Sequence, residues 1–139
     1  MELTRLNLFK FIGGHKYAVL GTVSPDGVPQ GAVVGITVTP ELEIVFDTVK
    51  TSNKYRNLLA RAECSVTLWT GETTVQYEGR ATEPTGRYLK EYREAYFRIF
   101  PDGRDRLSWP GITHFAIRPT WIRYSDFNRN PPQIEEFKF

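Results

Sequence analysis

Apolar and polar positions repeat along this chain in two periods. Leu3, Leu6, Phe9 and Ile12 recur at near-helical spacing and stop at Gly13-Gly14, which predicts a short amphipathic helix. Tyr17–Val23 then reads as a strand, and residues 28–38 as a second, joined through Ser24-Pro25-Asp26-Gly27. That tetrapeptide has turn chemistry, since proline presets one φ and glycine accepts a positive one, so the pair is a hairpin. Gly31 and Gly35 inside the second strand mark either bulges or places where a ligand approaches the backbone. Thr39-Pro40-Glu41 turns the chain into a third strand over 42–48, and residues 64–69 read as a fourth. Across Gly71-Glu72, Thr73–Thr82 alternates strictly: Val75, Tyr77, Gly79 and Ala81 on one face, Gln76, Glu78, Arg80 and Thr82 on the other. A helix is predicted over 85–100, with Leu89, Tyr92, Tyr96 and Ile99 on one face and Pro101-Asp102-Gly103 as its stop. Strands over 113–118 and 121–124 are interrupted at Pro119, and 133–139 adds a last one. Six or seven short, mostly antiparallel strands with two or three helices make a mainly-β class, a small barrel with accessory helices, in one domain over 1–139.

One stretch departs from plain packing logic. The strand ending Phe46-Asp47-Thr48 runs into a polar turn, and a helix starts around Ser52. Thr51 and Ser52 are good caps, because a hydroxyl can accept from first-turn N–H groups. Tyr55, Leu58, Leu59 and Ala62 give the helix an apolar face, while Lys54 and Arg56 put cations beside its positive end. Hydroxyls, free N–H groups and positive charge together suit an anion, most simply a phosphate. The same residues also describe an ordinary capped helix with solvated basic side chains. A flat aromatic ligand with a phosphate tail would place the tail on this helix start and the ring over Val33-Val34-Gly35.

Composition narrows the alternatives. Hydrophobic residues make up 40% and charged residues 24% of 139, and no apolar run approaches a membrane span, so no membrane partner is expected. The net charge of +2 comes from basic residues that form no stripe, which argues against a nucleic-acid partner. A single cysteine, Cys64, excludes an internal disulfide, and Met1-Glu2-Leu3-Thr4-Arg5 lacks the pattern of an export signal, so the cytoplasm is the expected compartment. No metal site is expected, because His15 and His114 are far apart and no Cys or His pair has ligand spacing. The chain also lacks a phosphate-binding P-loop, a dinucleotide glycine fingerprint and a nucleophile-elbow pattern.

Several segments carry a family likeness: Ser24-Pro25-Asp26-Gly27-Val28-Pro29, Phe46-Asp47-Thr48 with Thr51-Ser52-Asn53-Lys54 and Asn57-Leu58, and Tyr77-Glu78-Gly79-Arg80-Ala81. The late runs Phe100-Pro101-Asp102-Gly103-Arg104, Trp109-Pro110 and Pro119 to Phe127 continue it. With these the chain resembles the pyridoxamine 5'-phosphate oxidase-like flavin-binding split-barrel family over nearly its whole length. The resemblance implies an antiparallel split barrel forming a homodimer, with two FMN molecules held between subunits. It implies that Thr51, Ser52 and Lys54 hold the phosphate, that Val33, Val34 and Gly35 line the ring, and that Asp47 and Thr48 lie beside the ring or ribityl chain. Gln76 and Trp109 would come from the partner subunit, and the aromatic-rich late segment would lie in the interface. Two departures separate this chain from members that oxidise the vitamin. Gln30-Gly31-Ala32 stands where those carry an arginine, and the tail Arg129-Asn130-Pro131-Pro132-Gln133 lacks their Arg-x-His element. The implied activity is therefore flavin-mediated hydride transfer on another small organic substrate, with no side chain identifiable as catalytic. The alternative is a non-catalytic carrier of flavin, deazaflavin or haem.

Overall fold

A computed structural model describes residues 3–139; the reading of the N-terminus begins on Met1 and Glu2, which lie outside them. Helix α1 (Arg5–Gly13) starts on Thr4, whose Oγ1 accepts from the Asn7 N–H at 3.1 Å. Leu3 and Leu8 hold the positions of a hydrophobic staple, and both are buried in the main core. Of the face the threefold spacing suggests, Leu3 and Ile12 are buried and Phe9 packs against the core, while Leu6 is replaced inward by Leu8. Leu8 and Ile12 are fully buried, while Leu6 is 59% exposed. A three-residue repeat drifts around a helix of 3.6 residues per turn, and the i, i+4 pair is the true seam.

Strands β1 (Tyr17–Val23) and β2 (Pro29–Gly35) form the expected hairpin, in register from Tyr17↔Gly35 to Val23↔Pro29. The predicted strand over 28–38 is divided, however. It leaves β1 at Gly35, buries Ile36, and continues as β3 (Thr37–Val38), which pairs instead with β4 (Ile44–Val49). Next come helix α2 (Asn53–Ala60), strands β5 (Glu63–Thr70) and β6 (Thr73–Thr82), and helix α3 (Gly86–Ile99). A 3-10 segment, Pro101–Ser108, leads into β7 (Ile112–Asp126) and β8 (Gln133–Lys138). The sheet order is β2-β1-β5-β6-β7-β4-β3, with β8 on β7. Its two ends, β2 and β3, are consecutive pieces of chain. The antiparallel sheet thus curls into a split half-barrel whose seam is crossed by the backbone at Ile36 rather than by a hydrogen-bond ladder. This is the mainly-β class the pattern predicts.

The two predicted strands around Pro119 are one. Gly79 pairs with Pro119 and Glu78 with Trp121, so Thr120 is an extra residue in a bulge that lets β7 carry proline. Gly79 is required there: a Cβ would lie 2.5 Å from the Arg118 carbonyl oxygen. Inside the barrel, Tyr77 donates to the carbonyls of Leu42 (2.8 Å) and Ile117 (3.0 Å). Leu42 is buried at a positive φ of 66°, so Tyr77 ties down a strained corner.

Strand alternation sorts the rest. Leu20, Val34, Phe46, Val66, Tyr77, Phe115 and Ile122 fill the interior. Helix α2 closes one end, with the Tyr55 ring 5.8 Å from Phe115. Helix α3 covers the outer face of β4 and β7, making a second core of Val45, Ala116, Tyr96, Phe97 and Phe100. Among the described residues no helix covers the outer face of β2, β1, β5 and β6 in this way. Val33, Val19, Thr67 and Gln76 stand in one row across it, and Tyr17, Val33 and Trp69 are 61%, 71% and 59% exposed.

Candidate ligand site at the start of helix α2

Helix α2 has Ser52 as its cap, at φ −75° and ψ 155°, with Oγ accepting from the Tyr55 N–H at 3.2 Å. Ser52 Oγ is also 2.8 Å from Thr48 Oγ1 on the inward face of β4. The two hydroxyls carry two hydrogens. One lies between the oxygens, and the other is left to donate elsewhere. Thr51 stands one residue before the cap, in the turn. Among the described residues the Ser52 cap serves the Tyr55 N–H alone, the Arg56 N–H donates to the Ser52 carbonyl, and helix polarity favours negative charge at that end.

Beside this helix start lies a cleft of about 440 Å³ lined by Thr22, Gln30, Gly31, Ala32, Asn53 and Lys54. Lys54 is in no ion pair among the described residues. Behind the wall is Asn57, fully buried on α2. Its Nδ2 donates to Thr22 Oγ1 (3.0 Å) and Gln30 Oε1 (2.8 Å), while its Oδ1 has no hydrogen-bond partner among the described residues. The chemistry of this donor set fits a phosphate: an ammonium, a spare hydroxyl hydrogen, amide donors and a helix N-terminus, with no carboxylate among the lining residues.

The structure brings Thr48, Thr51, Ser52 and Lys54 together and sorts the other expected residues differently. Val34 faces the core, Val33 faces outward, and the space above Gly35 is filled by Phe100, which a Cβ would meet at 2.8 Å. Of these three, only the Val33 side chain is open to a ligand. Asp47, next to Thr48, points to the opposite face of the sheet. Its carboxylate accepts from Arg106 Nε at 2.8 Å and from the Tyr96 hydroxyl at 3.1 Å. Burial beside this carboxylate pushes the Tyr96 phenol well above its usual range, and the same ion pair holds Arg106 firmly charged. Gln76 is exposed on the outer face, away from the cleft of its own chain. Trp109 is 53% exposed after the 3-10 segment, and its loop is tied to the turn before α2 by the Lys50 N–H to Gly111 carbonyl bond of 2.8 Å. Thr22 escaped the sequence reading, which named Gln30 and Asn57 only within family-like segments and gave neither a role at the site. The one available signal was a polar Asn57 beside the buried Leu58, and it does not say what the amide touches; Leu59, expected on the helix's apolar face, is 63% exposed.

Neither imidazole faces the cleft. His15 Nδ1 is 2.8 Å from the Phe11 carbonyl, and its Nε2 is 2.7 Å from Thr70 Oγ1. His114 is fully buried between the Tyr96 and Phe97 rings, with Arg93 Nε 3.3 Å from its Nδ1. Burial first, and the Arg93 charge second, lower its pKa to about 4. Cys64 is buried and its thiol is pushed up to about 12 by desolvation, so it stays neutral. Among the described residues there is no cluster of three or more His, Cys, Asp or Glu side chains suited to a metal, and no helix long and apolar enough to cross a membrane.

A curled antiparallel half-barrel with a phosphate-suited helix start between β4 and β5 defines the split-barrel class. The chain belongs to the pyridoxamine 5'-phosphate oxidase family, whose model matches residues 7–126. No curated protein matches the sequence. Among solved structures it is similar to a haem-binding protein from Mycobacterium smegmatis, with a TM-score of 0.84 at 16% identity, over 99% of this chain and 59% of that one. It is also similar to a pyridoxamine 5'-phosphate oxidase-related, FMN-binding protein from Nostoc punctiforme (TM-score 0.68, 11% identity, 97% and 92% of the two chains). A third likeness is to a Clostridium acetobutylicum protein related to a general stress protein of the pyridoxinephosphate oxidase family (TM-score 0.73, 13% identity, 97% and 94%). At these identities the likenesses establish the fold alone.

Proposed function

We propose that the chain is an FMN-binding oxidoreductase acting on a small organic substrate, working as a homodimer with the cofactor's phosphate at the start of α2. The observation that carries this reading is the donor set around Ser52 and Lys54, beside a cleft open toward β2. Bound FMN supplies the redox chemistry, hydride transfer at its ring. This chain's residues do the holding. Lys54 binds the phosphate as a point charge, Ser52 donates its spare hydroxyl hydrogen, and Thr48 keeps that hydroxyl in place. Thr51, one residue before the cap, offers the phosphate a further hydroxyl. Asp47 acts at one remove, anchoring the 3-10 segment through Arg106. Gln76 and Trp109 are assigned to the neighbouring subunit's cofactor, because in its own chain Gln76 faces away from the cleft. The uncovered outer face with Tyr17, Val33 and Trp69 is the surface a second copy would cover.

The test is titration of the purified protein with FMN, followed by absorbance and fluorescence. The expected result is saturable binding, weakened by roughly 1.5–3 kcal/mol, about ten- to a hundredfold, in Lys54→Ala. An unchanged affinity in that variant would mean that the phosphate is anchored elsewhere.

The likeness to a haem-binding protein gives a second reading, a haem carrier. Both histidines weigh against it, since each is engaged within the fold and neither opens on the cleft. Added haemin should give no Soret shift that depends on His15 or His114. A shift abolished by His15→Ala would favour the haem reading over FMN.

A further inference from the structure

The structure shows how the side-chain amide of Gln30 is given a direction. The buried Asn57 places its Nδ2 against the oxygens of both Thr22 and Gln30, at 3.0 and 2.8 Å. An oxygen that accepts from Asn57 turns the rest of its group away. The Gln30 Nε2 is thereby presented outward as a donor, and the Thr22 hydroxyl hydrogen is left free of Asn57. Both side chains line the same cleft as Lys54 and Asn53. Helix α2 thus acts on the cleft twice, through its N-terminus and through a residue one turn further on, at the wall.

The cost of this arrangement is visible. Asn57 is fully buried and its Oδ1 has no partner among the described residues. A buried acceptor left unpaired is destabilising, and leucine at this position would remove the penalty. A residue kept for packing alone has no need of an amide there, whereas one that orients two donors does.

We infer that Asn57 is a positioning residue that turns the Gln30 amide and the Thr22 hydroxyl into two further donors for the ligand's phosphate; this rests on the reading of the cleft as a phosphate site. Lys54 and Ser52 grip the anion from the helix side, and Gln30 and Thr22 grip it from the β1–β2 side. The arrangement suits one phosphate held by a mixed set of donors.

The experiment compares FMN with riboflavin, which lacks the phosphate, in the wild type and in Asn57→Asp, Gln30→Met and Thr22→Val. A carboxylate at 57 only accepts, so Gln30 must turn its Nε2 inward and present an oxygen to the anion. Asn57→Asp should therefore lower the FMN-to-riboflavin affinity ratio by roughly tenfold or more, although residue 57 does not line the cleft. Gln30→Met, on an exposed strand residue that leaves the core intact, should lower the same ratio several-fold with riboflavin affinity unchanged. It keeps the test valid should Asn57→Asp fail to fold. Loss of FMN and riboflavin affinity in equal proportion would indicate a structural role and overturn the inference. Wild-type preference for FMN with an unaltered ratio in Gln30→Met and Thr22→Val would overturn it while leaving the FMN reading standing. If the wild type binds neither FMN nor inorganic phosphate, both fall.

Discussion

Single residues decide whether this barrel holds its shape. Tyr77 is fully buried, and its hydroxyl serves two carbonyls, that of Ile117 on β7 and that of the strained Leu42 in the turn before β4. In Tyr77→Phe both carbonyls stay buried without that donor, a loss of about 1–3 kcal/mol, read as a lower urea midpoint with an unchanged slope. A change under about 0.5 kcal/mol would mean that water reaches Leu42. His114 makes a pH-dependent contribution of definite sign. Its folded pKa of about 4 lies below the unfolded value, so the unfolded chain binds more protons between the two. This contribution is fully present above pH 6.5 and is lost as pH falls toward 4, for a total on the order of 3 kcal/mol. His114→Gln should flatten stability over that window, and an equally steep loss in the variant would place the titration elsewhere. The same scale shows what the sequence makes legible at the site. Ser52 and Lys54 are readable because a helix cap is local grammar, written within four residues. Asn57 is not, because its partners at Thr22 and Gln30 are 35 and 27 positions away and depend on the closed barrel.

Elements are readable where one period rules and misleading where a segment serves two partners. Thr73–Thr82 was legible end to end, since its buried and exposed residues alternate almost without a break. The stretch 28–38 was not, because nothing local at Ile36 announces that pairing moves from β1 to β4. Helix α3 shows a milder version. Tyr96 is buried as its pattern predicts, yet Phe97 and Phe100 turn inward too, because they meet His114, Ala116 and Gly35 on surfaces visible only after folding. The residues after α3, where the sequence offers only the stop Pro101-Asp102-Gly103, form a 3-10 segment in which Arg106 bonds Asp47 at 2.8 Å and Asp102 at 2.9 Å. Asp47 and Arg106 are largely buried, with side chains 15% and 18% exposed. Arg106→Met leaves that carboxylate with Tyr96 alone, a penalty on the order of 2 kcal/mol. The expected signature is local: faster amide exchange in Pro101–Ser108, with β5 and β6 still protected. Exchange that rises equally everywhere would show that the pair serves global stability only.

At the scale of the whole molecule, the asymmetry of the barrel's outside is the strongest argument for a second copy. One half is covered by α3 and the segment after it, and the other half, β2-β1-β5-β6, is bare. Tyr17, Val33 and Trp69 are each more than half exposed on that bare half, and the register sets Gln76 in the same row as Val33. An antiparallel sheet tolerates water on one face, so exposure alone decides nothing. The large aromatic and aliphatic side chains Tyr17, Val33 and Trp69 have the composition of an interface core, and Glu63, Glu78 and Arg80 toward one end of β5 and β6 would form its charged rim. If a second copy covers this face, Gln76 reaches the partner's cofactor only in the dimer, and assembly and flavin affinity are linked. Val33→Lys would bury an unpaired ammonium in such an interface without disturbing the barrel core, because residue 33 points outward. Sedimentation should then show wild type at twice the chain mass and the variant at the chain mass, with FMN affinity falling in step. A folded monomer that keeps wild-type FMN affinity would separate the cleft from the bare face and leave Lys54, Ser52 and Gln30 of one chain as the whole site.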